Sequence, residues 1–416
     1  MHRLLYVVLV LCVLMPASAQ QSPNVARLLQ DSSVKAALDA AKANEPAIIE
    51  EQIRLSEIPA PSFKEAKRAV AVVQIFKDLG LRNVRVDGAG NVIGERPGLA
   101  QRPNLAFCGH LDTVFPDGTD VRVRREGAVL KAPGIGDDAR GLAVVIAVAR
   151  ALNQAKVQTP GTITFVADVG EEGLGDLRGM KQLFHDTLKD RIDRFVSVDG
   201  SGFGITRIGV GSYRYKVTFK GPGGHSYGAF GLVNPIHALG RVIAKIADFQ
   251  VPEDPKTTFN VGRVGGGTSV NSIAFEAWME MDLRSPSLES LRRIDGDFLK
   301  AVDQALAEEN ARWGEKGGKL TVEKRKVGER PAGNTPEDSP IVQTAIAATR
   351  ALGFTPRLGE GSTDANVPMD LHIPAITIGG GGKGQGAHSL SESFDTTDSW
   401  QGTQRAVLLA IALAQK

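Results

Sequence analysis

The stretch NLAFCGHLDTV, Asn104–Val114, decides the fold. Its first seven residues, NLAFCGH, form a continuous apolar run without polar alternation, as expected of a strand covered on both faces of a parallel sheet. A histidine and an aspartate, His110 and Asp112, follow where the run ends. In parallel sheets ligands bind just beyond the carboxyl ends of strands, because loops and helix N-termini converge there. The pair is therefore either a satisfied loop pair or the first half of a metal site.

Two further apolar runs have the same character, GTITFVADVGEE (161–172) and RFVSVDG (194–200). Helical spacing lies between and before them, in SVKAALDAAKANEPAIIEEQIRLSEIP (33–59) and EAKRAVAVVQIFKDLG (65–80). The segment ARGLAVVIAVARALNQA (139–155) is apolar nearly all round and reads as a buried helix. Strands alternating with helices define an α/β domain with a mainly parallel sheet. The style changes near Gly209. SYRYKVTFKG alternates like a half-exposed antiparallel strand, and helix, two strands, a long helix and KLTVEKRKVGE follow. That βαββαβ order is a ferredoxin-like α+β unit. The α/β style returns near 328 with PIVQTAIAATRALG, IPAITIGGG and a closing helix. The expected organisation is a catalytic domain over 20–209 and 328–416, interrupted by a smaller domain over 210–327.

Two domains also suit a chain of 416 residues. A formal net charge of +2 gives no basic excess for nucleic acid or a membrane surface. The first residues, MHRLLYVVLVLCVLMPASAQ, combine Arg3, an apolar run from Leu4 to Met15 and the small-residue end Ala17-Ser18-Ala19. This is the pattern of a signal peptide spanning 1–19, and the run is short for a membrane span. The expectation is a periplasmic or secreted protein, with no membrane association after cleavage. Cys12 would leave with the signal, so Cys108 remains alone, inside a strand, in a packing role.

Polar residues fall where the strands end. His110 and Asp112 follow the first run, Glu171 and Glu172 the second, and Asp199 closes the third. APGIGDDARG places Asp137 and Asp138 at the start of the buried helix, and IPAITIGGGGKGQGA leads to His388. Each motif alone is weak, since a paired EE is usually a solvated face and a lone Asp often a helix cap. Together at one sheet edge they would repel one another, and buried unpaired charge is costly unless cations neutralise it. Two imidazoles with shared carboxylates suit two ions of zinc or a related borderline metal such as cobalt or manganese.

So arranged, the chain resembles the M20 family of co-catalytic zinc peptidases and deacylases, over nearly all its mature length and in the family's motif order. The resemblance implies His110 as ligand of one metal, oriented by Asp112, and Asp137 as the carboxylate bridging both, joined to Asp138 by a cis peptide bond. It implies Glu171 as general base and Glu172 as a ligand of one metal; Asp199 serves the other, and His388 completes that second site. Water shared between the two cations would lose its proton to Glu171, which later hands it to the leaving amine. The inserted domain would be a lid and dimerisation surface. His225 in GPGGHS would stabilise the oxyanion, reaching the partner's site in dimeric relatives. Asn271 and Arg284 would bind the substrate's carbonyl and carboxylate, although a salt bridge from Arg284 to Asp282 competes with that role. GEGSTDANVP (359–368) reads as a pocket loop in which Asp364 either faces substrate or caps a turn. The chain departs from the family at Ala139-Arg140, where relatives often carry lysine after the two acids.

His185, His237 and His372 carry no site in this reading, and EKRK at 323–326 is a charged edge strand. The leading expectation is an exported exopeptidase acting on short peptides, with an N-acyl-amino-acid deacylase or glutamate-carboxypeptidase-like hydrolase as the alternative. A non-catalytic binding protein on the same fold would be signalled by loss of Glu171 or of a ligand, and all are present.

Overall fold

The computed structural model describes residues 25–415, so the signal segment read at 1–19 lies outside them. After a four-residue helix at Val25–Leu28 come helices α1 (Ser32–Ala43), α2 (Glu45–Ser56) and α3 (Ala66–Asp78). Strands β1 (Arg82–Val86), β2 (Val92–Arg96) and β3 (Asn104–His110) follow, then helix α4 (Ala139–Gln154). Next come β4 (Thr162–Asp168), β5 (Arg194–Val198) and β6 (Gly204–Gly209). Every residue of β3 and of β4 is buried, because helices cover both faces of the sheet at its centre.

The inserted unit comprises β7 (Gly211–Lys220), α5 (Pro235–Ala247), β8 (Thr258–Gly266), β9 (Glu276–Ser285), α6 (Leu288–Trp313) and β10 (Thr321–Arg330). The chain then returns through α7 (Pro340–Ala351), β11 (Arg357–Gly361), β12 (Ala375–Ile378) and α8 (Trp400–Leu413).

The larger sheet runs β1-β2-β4-β3-β5-β12-β6 and ends in the two-residue strand Gly333–Asn334, with β11 also paired to β6. Its four central strands, β4, β3, β5 and β12, are mutually parallel. Antiparallel pairings flank them, β1 with β2, β2 with β4 and β12 with β6. The α/β expectation is met by a mixed sheet whose parallel centre is what gathers strand ends at one edge. Its principal core joins α1, α4 and α8 to the sheet through Leu38, Val145, Phe107 and Leu408.

The smaller sheet is antiparallel in the order β8-β9-β7-β10. Strand β9 alternates half-buried and buried residues along its whole length. Its inward residues Ala277, Met279, Met281 and Leu283 pack with Tyr215 and Val217 of β7 against Leu239 of α5 and Phe298 of α6. Both helices therefore cover one face and leave the other open. This sheet reaches Arg330 on β10, slightly beyond the limit of 327 expected from the sequence. No helix among the described residues is long and apolar enough to cross a membrane.

Candidate active site

Asp112 explains how the site is assembled at the edge of β3. Its Oδ1 accepts the backbone N–H groups of Gly170 and Glu171, each at 3.0 Å. Its Oδ2 accepts Glu172 N at 3.0 Å and the Ser62 hydroxyl at 2.7 Å. Four donors fill the carboxylate and pin the Gly170–Glu172 turn, leaving β4, to the end of β3. The resemblance gave Asp112 the task of orienting His110. In the structure the nearest partner of His110 Nδ1 is the Asp112 backbone carbonyl at 3.0 Å, with the carboxylate at 3.6 Å. The orientation comes from the same residue, chiefly through its main chain.

Asp138 plays the matching part on α4. Its carboxylate caps the helix through Gly141 N at 2.9 Å and also accepts His110 N at 3.0 Å and Gly200 N at 3.3 Å. Burial pushes its pKa well above the ordinary carboxylate range. The peptide bond between Asp137 and Asp138 is cis. The loop before it is held by Glu392, which accepts the N–H groups of Gly134 and Gly136 at 2.8 Å and of Asp137 at 3.0 Å.

These supports bring the candidate ligands together. Asp137 splits its two oxygens: Oδ1 lies 3.1 Å from His110 Nε2 and Oδ2 lies 3.0 Å from His388 Nε2. His388 Nε2 is also 3.0 Å from Glu172 Oε1. His388 holds a left-handed backbone at φ +64°, a conformation rare for a non-glycine residue. Donor atoms of His110, Asp137 and Asp199 lie within 4.8 Å of one another, as do those of Asp137, Glu172 and His388. The two groups share Asp137. One correction follows, because the resemblance placed His388 with Asp199, whereas the geometry groups His388 with Glu172 and Asp199 with His110.

The electrostatics are those of a crowded acidic pocket. Burial pushes Asp199 up to about 7, reinforced by Asp137. Hydrogen bonds to Asp137 and Glu172 raise His388 to about 10. Burial opposes charge on His110, yet its bonds to Asp112 and Asp137 outweigh that and hold the imidazolium well above its usual range. The carboxylates that raise the two imidazoles are the ones that would face bound cations. The donor set fits two borderline divalent ions, with nitrogen and carboxylate oxygen supplied to each and one carboxylate in common. Separations of 3.0 to 3.1 Å are close to the roughly 3.3 Å between neighbouring ligands on a tetrahedral ion.

Glu171 lies in the same pocket, with an oxygen in a group formed with His110 and Glu172. Burial pushes it up to about 8 while Arg330 pulls it down. Arg330, at the end of β10, reaches across from the inserted unit. Its Nη1 lies 3.2 Å from Glu171 Oε1 and 3.2 Å from the Ser362 hydroxyl, and its Nη2 donates to the Glu171 backbone carbonyl. Sequence reading missed Arg330, which sits in a charged stretch that looks like a solvated edge.

Other expected residues lie elsewhere. His225 lies in a short ribbon of Gly224–His225 with Ser272–Ile273, beside which the Asn271 carbonyl accepts Ser226 N at 3.0 Å, and among the described residues neither side chain bonds to the ligand cluster. His225 is exposed, and its Nδ1 accepts Tyr227 N and Gly228 N, each at 3.2 Å. Arg284 makes the competing salt bridge, its Nε 2.6 Å from Asp282 Oδ2. Asp364 is buried rather than a turn cap; Thr363 and Asn366 satisfy that turn. With Cys108 and Asp168 it forms a further buried cluster behind the site, where the Cys108 thiol donates to Asp168 Oδ1 at 3.2 Å. The departure at Ala139-Arg140 is structural, since buried Arg140 donates to the carbonyls of Gly380 at 2.9 Å and Ser399 at 2.7 Å and pairs with Glu45.

A mixed α/β sheet with imidazoles and carboxylates gathered at its strand ends around one shared aspartate is the arrangement of a metallohydrolase. The family model Peptidase family M20/M25/M40 matches residues 106–412, and the chain belongs to that family, whose members hydrolyse peptide or amide bonds. Among curated proteins it is 27% identical over 353 residues to the uncharacterised protein YqjE of Bacillus subtilis, covering 80% of this chain and 90% of that one. Aminopeptidase PepT of Bacillus cereus shares the fold with a TM-score of 0.71 at 24% identity, covering 89% of this chain and 99% of that one. The YXEP protein of Bacillus subtilis, described as a dinuclear metal-binding peptidase of the M20 family, does so with a TM-score of 0.66 at 18% identity, covering 89% and 98%.

Proposed function

We propose that the chain is an exported exopeptidase of short peptides that works with two divalent ions, most simply zinc. The observation that carries this reading is the division of Asp137 between His110 and His388, which makes one carboxylate common to two ligand groups. His110 and Asp199 would complete one group, and Glu172 and His388 the other. Bound there, the ions supply Lewis-acid polarisation of the scissile carbonyl and lower the pKa of the attacking water. Glu171, outside the two groups that share Asp137, takes the water's proton and delivers it to the leaving amine. Burial raises the Glu171 pKa, whereas bound ions would oppose that and keep the carboxylate ionised to accept the proton. Arg330 fixes the Glu171 side chain and its main chain together.

Export rests on the first nineteen residues. A homodimer through the inserted domain is supported by the exposed edge strand β8 and by exposed Val264 and Val270. His225, turned to solvent on its own protomer, would then act on the partner's site.

The test is chelation followed by reconstitution with zinc, cobalt or manganese, assayed on di- and tripeptides with free or blocked termini and on N-acyl amino acids. Restored cleavage of peptides needing one free terminus supports the exopeptidase. Turnover confined to N-acyl amino acids would make it a deacylase, and no metal binding with no turnover would reject both.

A further inference from the structure

The open face of the inserted domain's sheet carries more positive charge than its neighbours neutralise. Register aligns Arg263 of β8, Glu280 of β9, Lys216 of β7 and Arg325 of β10 in one row across all four strands. The adjacent row contains Asp282 and Arg214. The next contains Arg330, opposite Ser212, at Glu171. Along β7 the step from Ser212 to Lys216 is four residues, about 13 Å of extended chain.

This face looks toward the turn that follows Glu172. Arg214 donates to the Gly173 carbonyl, and Glu329 N donates to Asp176 Oδ1 at 2.7 Å. Between sheet and turn lies a cavity of about 290 Å³, lined by Leu174, Arg214, Lys216, Arg263, Glu280 and Arg325 among others. Arg263 is paired with Glu280 at 3.0 Å, and Arg214 with Asp282 at 3.0 Å. Lys216 lies over the Trp278 ring at 4.8 Å, and among the described residues neither it nor Arg325 has a carboxylate partner. Lys216 is half-buried and Arg325 exposed, so an anion entering the cavity would meet two cations that no carboxylate of the described residues neutralises. The larger recess beside Leu390, about 630 Å³, offers fewer free cations, because Arg122 is held by Asp120 through bonds of 2.9 and 2.7 Å and Lys131 by Glu126, leaving Arg124.

We propose that this cavity receives a carboxylate at the end of the substrate remote from the cleaved bond, so that the preferred substrates are short acidic peptides. The proposal rests on the hydrolase reading above and names its substrate class. The spacing of about 13 Å corresponds to an acidic residue some three to four positions from the scissile amide.

Binding is read on uncleavable tetrapeptide analogues with reduced linkages, carrying Glu or Gln at the first or the last position. The metal-reconstituted full chain is compared with Lys216→Glu/Arg325→Glu and the milder Lys216→Gln/Arg325→Gln, each checked for an unchanged melting temperature. The expected result is about fivefold tighter binding of the Glu analogue in one of the two positions. That preference should fade as salt rises from about 50 mM to about 500 mM and disappear in both variants. Equal binding of Glu and Gln analogues, or a preference that survives in the variants, would overturn the proposal. Turnover of the ordinary tetrapeptides is scored separately: cleavage without charge preference rejects this inference and leaves the hydrolase, whereas charge-dependent binding without cleavage does the reverse.

Discussion

Glu171 and Arg330 form a pair in which each residue changes what the other can do. Glu171→Gln keeps the shape and removes the proton acceptor, so metal content measured by elemental analysis should be unchanged while kcat falls at least about 100-fold. Near-parental kcat in that variant would show that the base lies elsewhere. Arg330→Met removes the cation that pulls the Glu171 pKa down from its burial-raised value. The acid limb of the kcat/KM profile should then move to higher pH, and the limb staying in place would show that Arg330 does not act through Glu171. Neither residue was equally legible from sequence. Glu171 follows an apolar strand in a GEEG motif, whereas Arg330 belongs to KVGERP, and only the crossing of β10 over the Glu171 turn gives it meaning.

At the scale of elements, the start of α4 is a close-packed junction. A Cβ on Gly141 would fall 2.2 Å from the Val198 carbonyl oxygen and 2.1 Å from Asp138 Oδ1. Gly141→Ala should therefore cost about 1–3 kcal/mol in chemical denaturation and loosen metal binding, because α4 must retreat from the ends of β3 and β5. Unchanged stability and metal affinity would mean that the junction yields without disturbing the site. The strands and helices themselves were readable, since fully buried runs such as β3 and β4 have no polar alternation and the βαββαβ spacing of the inserted unit is distinctive. What was not readable is the grouping of His388 with Glu172 rather than Asp199. The left-handed turn at His388 sets that direction, and no local sequence rule specifies it.

For the whole molecule, the acidic pocket links metal, pH and stability. Carboxyls such as Glu171 and Asp199, raised by burial to about 8 and about 7, stabilise the fold below their ordinary pKa near 4. That contribution is lost as pH rises through the folded values. His388, raised to about 10, contributes fully below about 6.5 and less above it. Both slopes run the same way between pH 5 and 8, so the chelated chain should lose stability across that interval. Ions binding the deprotonated groups replace those protons. The Tm gap between zinc-loaded and chelated protein should consequently widen from pH 5 to pH 8 in thermal scans. A gap independent of pH would place metal binding outside this cluster.

Local patterns in the chain were enough for the α/β class, for the interruption near residue 210 and for the candidate ligands. Burial on both faces, alternation and helical spacing are short-range properties, and parallel strands deliver their ends to a common edge. Which donors group together and which arginine meets Glu171 were decided only when the two sheets faced each other. Those relations depend on backbone direction at single turns and on contacts between residues more than a hundred positions apart, as Arg330 and Glu171 are. Periodicity carries no information at that range.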